Sequence, residues 1–210
     1  MQDYYAARAS EYDKIYLKPE RQANLRHMEA WLTEVFTHRS VLEIACGTGY
    51  WTQFYAPAAA SVVALDSAEE TLLIAQGRLR GTNVRLLAGD AYKLSVLDGP
   101  FDGAFAGFWW SHIPLKRIPE FLNELHAALQ PGTKIVFFDN RFVLGSSTPI
   151  SEHDAEGNTY QLRQLEYGSM HRVLKNFPSR EQLLAAVAPY AQASDYREWD
   201  YFWALTYTLR

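Results

Sequence analysis

The sequence predicts a doubly wound α/β fold around a mostly parallel sheet of seven strands. Short apolar runs alternate with segments of helical periodicity between residues 41 and 138, the pattern of parallel strands joined by crossover helices. Those runs are apolar nearly throughout, as strands covered on both faces must be. The chain has 210 residues, 48% of them apolar and 21% charged, which suffices to fill the core of one domain.

The elements follow in order. Residues 4–31 are polar and aromatic, and Leu25, Met28 and Leu32 place a helix in their later part. Strand 41–45 ends in a glycine turn, residues 50–55 read as a helix, and strand 61–65 ends at Asp66. A helix spans 68–79 with Ser67 as its N-cap. Strand 83–88 ends in Gly89-Asp90, and strand 101–108 follows. The helix over 118–129 carries Phe121, Leu122, Leu125 and Leu129 on one face and stops at Pro131-Gly132. Strand 134–138 ends at Asp139. Residues 141–177 break the alternation: two runs joined by Gly168-Ser169 predict an inserted β-hairpin. A helix resumes over 182–187, and 195–209 supplies two last strands, antiparallel to the rest. One domain over 1–210 is expected, with N-terminal helices over 1–35 and the hairpin over 141–177 as its additions.

Composition excludes several classes of partner. Lys and Arg total 20 against 24 Asp and Glu, a formal charge of −4. A protein that grips nucleic acid through many phosphates carries a basic excess, so no nucleic acid is expected. Residues 44–65 hold no formal charge, but Gly47, Gly49 and Pro57 make them strand, turn and short helix, so no membrane span is expected. Cys46 is the one cysteine, which rules out an internal disulfide, and no residue spacing suits a metal. Met1-Gln2-Asp3 lacks the cationic and apolar start of a secretory signal, and a soluble cytoplasmic protein is expected.

The strongest chemical signal is Glu43-Ile-Ala-Cys-Gly47-Thr-Gly49. Glycines at a strand-to-helix turn let the backbone approach a ligand closely, and the helix start offers free N–H groups. A dinucleotide fingerprint wants a third glycine, where Thr52 stands here. Asp66 ends the next strand, where a carboxylate can take both ribose hydroxyls, and Asp90 ends the third, within reach of an adenine amine. With Glu43, three acids at successive strand ends are expected to converge on one crevice. Such a crevice suits a nucleoside bearing a sulfonium and an amino group; turns and helix caps are the plainer reading.

These motifs, with Asp66 in Ala64-Leu-Asp-Ser67 and Gly89-Asp-Ala91, resemble those of the class I S-adenosylmethionine-dependent methyltransferases, which have a Rossmann-like fold. The resemblance implies S-adenosylmethionine as cofactor and S-adenosylhomocysteine as product. It implies that Gly47 and Gly49 line the methionine part, Asp66 binds ribose, Asp90 and Ala91 flank adenine, and Phe108 lies near the sulfonium. Glu43, Ala45 and Ser67 belong to the same motifs and are counted with the cofactor site. The segment Tyr4-Tyr-Ala-Ala-Arg8-Ala-Ser-Glu-Tyr12-Asp13 is similar to the family's opening segment, which covers the cofactor; Tyr4, Arg8 and Tyr12 are its candidates.

Acceptor-facing residues should follow the fourth strand, in Gly107-Phe-Trp-Trp-Ser-His112-Ile-Pro114. His112 is the candidate base or hydrogen-bond donor, or else it only packs. Trp109 and Trp110 read as core or pocket wall. His27, His38 and His126 read as solvated. On the hairpin, strand alternation turns Arg163 and Lys175 inward together and Arg172 outward. An inward Arg and Lys suit an anionic oxygen acceptor, whereas solvent-facing charges are the ordinary alternative. The opening segment, the Gly-Thr-Gly-Tyr-Trp-Thr turn, the His-x-Pro and Arg172-Val-Leu-Lys175-x-Phe177 together resemble a narrower group. It consists of small-molecule O-methyltransferases, including one that esterifies a phosphonate in dehydrophos biosynthesis. That resemblance implies methyl transfer to an oxygen of a small acidic metabolite under a lid hairpin, with His112, Lys175 and Arg163 around the acceptor. Amine or thiol methylation, or a non-catalytic cofactor-binding protein, is the competing reading.

Overall fold

Residues 4, 8–94, 97 and 99–210 are described by a computed structural model. Tyr5, Ala6 and Ala7 of the opening motif lie outside the described residues. The chain enters through 3-10 turns over Ala9–Leu17 and Pro19–Arg21 and continues into α1 (Gln22–Phe36). Leu25, Met28, Leu32 and Phe36 form one apolar stripe on α1 and are fully buried. Then follow β1 (Ser40–Ile44), α2 (Thr52–Tyr55), β2 (Ser61–Asp66), α3 (Glu69–Arg78), β3 (Val84–Ala88), β4 (Gly103–Gly107), α4 (Ile118–Ala127) and β5 (Lys134–Asn140). Beyond them lie β6 (Glu152–His153), β7 (Thr159–Gln164), β8 (Met170–Leu174), α5 (Arg180–Val187), β9 (Ala191–Glu198) and β10 (Phe202–Leu209).

Seven strands join in the order β3-β2-β1-β4-β5-β10-β9. Residues of alternate parity build two cores. Leu42, Ala104, Ile135, Phe137, Trp203 and Leu205 face α4 and α5, whereas Val41, Val62, Phe105, Val136, Phe138 and Phe202 face α1 and α2. Each large side chain so buried contributes about 1.5–3 kcal/mol, so this alternation fixes the register of the sheet. Chain direction diverges between β1 and β4, the topological switch point at which open α/β sheets bind ligands.

Three expectations are corrected and one is extended. Only β10 runs antiparallel to the rest; β9 pairs antiparallel with β10 and so runs with the first five strands. The inserted segment holds the expected hairpin, β7-β8, but it is a three-stranded antiparallel sheet, since β6 pairs with β7. Ser67 does not cap α3: the cap position is Ala68, whose N–H is held by Asp66 Oδ1 at 2.9 Å. His126 is not solvated: its Nε2 lies 2.7 Å from the Tyr207 hydroxyl, and burial pulls its pKa down to about 4. Among the described residues no helix is long and apolar enough to cross a membrane.

Candidate active site

Two adjoining cavities share Tyr12, Phe108 and His112 as walls. The first, about 260 Å³, is built from strand ends. Ala45 and Gly47 follow β1, Asp66 and Ser67 close β2, Asp90 and Ala91 follow β3, and Phe108 and Trp109 follow β4. Ala45 and Phe108 take φ of 56° and 57°, left-handed backbone that non-glycine residues adopt only where the surrounding structure holds them. Phe108 is held by its N–H, donated to Phe138 O at 2.8 Å.

Asp66 ties the first cavity together. Its Oδ2 accepts the Gly47 N–H at 2.8 Å, while Oδ1 accepts from Ala68 N–H and, at 3.3 Å, from Thr71 Oγ1. Burial raises its pKa against the pull of these donors. The two glycines of the loop differ in role. Gly47 has φ 55° and lines the cavity, and a Cβ there would meet nothing within 4 Å. Gly49 has φ 71°, is not a wall residue, and leaves room for α3: a Cβ would stand 2.9 Å from Leu79 Cδ1. Gly49→Ala is expected to destabilise by about 2–4 kcal/mol through backbone strain and overpacking together. Gly47→Ala should cost only about 1 kcal/mol of fold stability and act mainly on ligand affinity. Melting temperatures with and without S-adenosylhomocysteine separate the two effects.

Glu43 lines neither cavity. It points to the other face of the sheet, 2% exposed, and its Oε2 accepts the Thr52 and Tyr55 hydroxyls at 2.7 and 2.6 Å. The expected convergence of three acids therefore reduces to Asp66 and Asp90, because strand alternation turns Glu43 toward α2. Burial pushes its pKa up from 4.5 to about 7. A raised carboxyl pKa contributes stability below the unfolded value near 4.5 that is lost as pH rises through about 7. The linked loss is about 3 kcal/mol at full ionisation. Glu43→Gln should flatten this part of the pH dependence, read from urea unfolding at pH 5 and pH 8.5. An unchanged slope would mean Glu43 is already ionised in the folded protein.

The second cavity, about 350 Å³, lies between the N-terminal segment, the loop after β5 and the small sheet. Among the described residues its walls carry Arg8, Lys14, Lys18, Arg21, Arg163 and Lys175 against a single carboxylate, Glu11. Tyr4 and Arg8, expected over the cofactor, line this cavity and not the first; Tyr12 alone of the three reaches both. The Arg8 guanidinium lies 5.6 and 5.4 Å from the ring centroids of Tyr4 and Tyr12. Burial pushes the Tyr12 phenol up to about 12, so it stays protonated.

Arg163 and Lys175 share this cavity, while Arg172 turns away and forks onto Glu152 at 2.8 Å. Lys175 is already committed: 4% exposed, it donates to Asp139 Oδ1 at 2.7 Å and Ser111 Oγ at 2.6 Å. Asp139 Oδ2 in turn accepts the Ser111 N–H at 3.0 Å; burial raises its pKa, and the Lys175 ammonium beside it outweighs that and holds it below the usual carboxylate value. The lysine expected at the acceptor lines the cavity, with its Nζ held by Asp139 and Ser111. It closes a buried ion pair that locks the small sheet onto β5 and the loop carrying His112.

His112 is 6% exposed, and its Nδ1 lies 2.6 Å from Leu174 O. A carbonyl only accepts, so the proton sits on Nδ1 and Nε2 is the basic nitrogen. Burial first, then Lys175 and Arg163, hold its pKa well below the usual range, so the ring is neutral. Of the two expected roles, this tautomer leaves Nε2 as an acceptor rather than a donor. Sequence reasoning missed the clasp around it. Asn176 Nδ2 donates to Ile113 O, Asn176 Oδ1 accepts the Thr159 N–H, and Asn158 Oδ1 accepts the Leu115 N–H. Only the pairing of asparagines across 113–115 and 158–176 reveals it, and that pairing is not a local pattern.

A methyltransferase-domain family model matches residues 41–132, the span of every strand-end wall of the first cavity. Demethylmenaquinone methyltransferase of Geobacillus sp. (strain WCH70) is 24% identical over 82% of this chain and 82% of its own length. The 2-phytyl-1,4-naphtoquinone methyltransferase of Synechocystis sp. is 29% identical over 66% of this chain and 61% of its own. A solved DhpI–SAH complex superposes with TM-score 0.80 at 26% identity, covering 99% of this chain and 94% of that one. A DhpI–SAM–HEP complex gives 0.78 at 28%, covering 97% and 94%. Together these likenesses support an S-adenosylmethionine-dependent methyltransferase enzyme. The first cavity fits that cofactor chemically. It offers carboxylates at two strand ends, a glycine with open space beside it, and an apolar wall in which Trp109 Nε1 is buried without a partner.

Proposed function

We propose that this methyltransferase alkylates an oxygen of a small anionic metabolite. The observation that carries the reading is the cationic cavity that meets the cofactor cavity at Tyr12, Phe108 and His112. S-adenosylmethionine, when bound, supplies a methyl group already activated by a sulfonium. Asp66, with Ser67 beside it, accepts the ribose hydroxyls; Ala45 and Gly47 receive the methionine part; Asp90 and Ala91 flank the adenine; and Phe108 closes the boundary. Tyr12 spans the two cavities from above, and the small sheet roofs the second one as a lid rooted by the Lys175–Asp139 pair. Much of the catalysis is then orientation and exclusion of water. Arg163 and Arg8 draw the anion in and orient it, and neutral His112 accepts a hydroxyl proton of the acceptor at Nε2 where the acceptor still carries one.

Release of S-adenosylhomocysteine against phosphonates, carboxylates, phenols, quinols, amines and thiols tests this directly. Turnover on the anionic oxygens is the expected result. Because His112 stays neutral, kcat/KM for a fully ionised acceptor should show no histidine limb between pH 6 and pH 8. Turnover confined to amines, thiols or neutral quinols would overturn the reading, the last in keeping with the names of the quinone methyltransferases it resembles.

A further inference from the structure

Arg21 ends the 3-10 turn that leads into α1 and is 7% exposed, yet it walls the cationic cavity. Nε and Nη2 donate to Ser146 Oγ at 3.2 and 2.9 Å, Nη2 also to Ser146 O at 3.3 Å, and Nη1 to Asn140 Oδ1 at 2.9 Å. The rings of Tyr201 and Phe202 lie 5.3 and 5.6 Å from its guanidinium carbon. Every one of these acceptors is neutral, and among the described residues no carboxylate lies within 4.0 Å of it. Glu20 makes no direct contact with it: its charge acts on Arg21 across a gap, and its Oε1 accepts the Ser146 hydroxyl. Among the described residues, four contacts for five N–H hydrogens leave the second hydrogen on Nη1 without an acceptor.

Lys175, in the same cavity, is matched by Asp139. A buried guanidinium with no carboxylate in contact keeps much of its desolvation penalty, which a nearby but untouching Glu20 offsets only in part. Its planar fork fits a carboxylate or phosphate better than any neutral group, and the rings of Tyr201 and Phe202 hold that plane in place. Arg21 and Arg163 both bear on the charge of Lys175, so two cations flank one space. At about 350 Å³ that space lies near the lower end of ligand pockets, typically about 300–1,000 Å³, and suits a small acceptor.

We propose that Arg21, with Asn140, forms a second anion subsite that holds a non-reacting acidic group of the acceptor, apart from the oxygen methylated beside His112. The acceptor is then a small molecule with two acidic ends. This inference rests on the anionic-acceptor reading above and narrows it.

Calorimetric titration of the S-adenosylhomocysteine-loaded protein with succinate and glutarate, against butyrate and valerate, tests it. The dicarboxylates are expected to bind at least tenfold tighter than the monocarboxylates of equal length. Arg21→Gln should remove that advantage with S-adenosylhomocysteine affinity kept. Asn140→Asp, which places a carboxylate of nearly the same shape opposite Nη1, should remove it as well, and it decides the matter should Arg21→Gln fail to fold. Equal affinities in the wild type, or an advantage that survives in the folded variants, overturns the subsite while leaving the anionic-acceptor reading in place. If none of these acids binds at all while phosphonates turn over, the subsite again falls alone; if no anion binds or turns over, both fall.

Discussion

Asp66→Ala is expected to weaken S-adenosylhomocysteine binding by more than tenfold. Hydrogen bonds to a charged group are worth about 1.5–3 kcal/mol each, and one such bond to a ribose hydroxyl already exceeds the roughly 1.4 kcal/mol of a tenfold change. The structure adds a second cost, since the same carboxylate holds the Gly47 N–H and the first turn of α3. Loss of that cap should lower stability by about 1 kcal/mol, partly offset because a buried carboxylate no longer has to be kept ionised. Asp90→Ala serves as the comparison. Its side chain is exposed and accepts only the Tyr92 N–H, so it should reduce affinity with little effect on melting. Unchanged affinity in Asp66→Ala would remove the ribose assignment.

Lys175→Met should destabilise the protein by about 3–5 kcal/mol, the usual result of leaving a buried charge without its partner. Asp139 is fully buried, so its carboxylate would keep only the Ser111 and Asn140 donors. The double variant Lys175→Met/Asp139→Asn should recover most of that loss, because it removes both charges. Urea unfolding of the two variants measures the difference. A single variant as stable as the wild type would show that the pair is not what roots the small sheet. A merely local surface lysine would also leave the double variant no better than the single one.

Local signals were legible where the chemistry is local. The alternation of apolar runs announced β1 to β5, and Gly47 and Asp66 were readable because a strand-end glycine and a strand-end carboxylate declare themselves within a few residues. The motif does not tell which of its residues pack within the fold: Glu43 turns toward α2 and Gly49 lies against α3. Strand alternation placed Arg163 and Lys175 on one face and Arg172 on the other, yet could not say what Lys175 would meet there.

The doubly wound sheet and a cofactor with a ribose were thus legible in the chain before any fold was seen. These follow from periods of 2 and 3.6 residues and from turn chemistry, which act over short stretches. The tertiary structure alone decided the direction of β9, the third strand of the small sheet, the tautomer of His112 and the pairing of Lys175. It also decided the neutral acceptors around Arg21, of which Asn140 lies 119 residues away. The physical reason is that a buried charge takes its meaning from its partners. Lys175 and Asp139 stand 36 residues apart, and only the closed fold brings them to 2.7 Å.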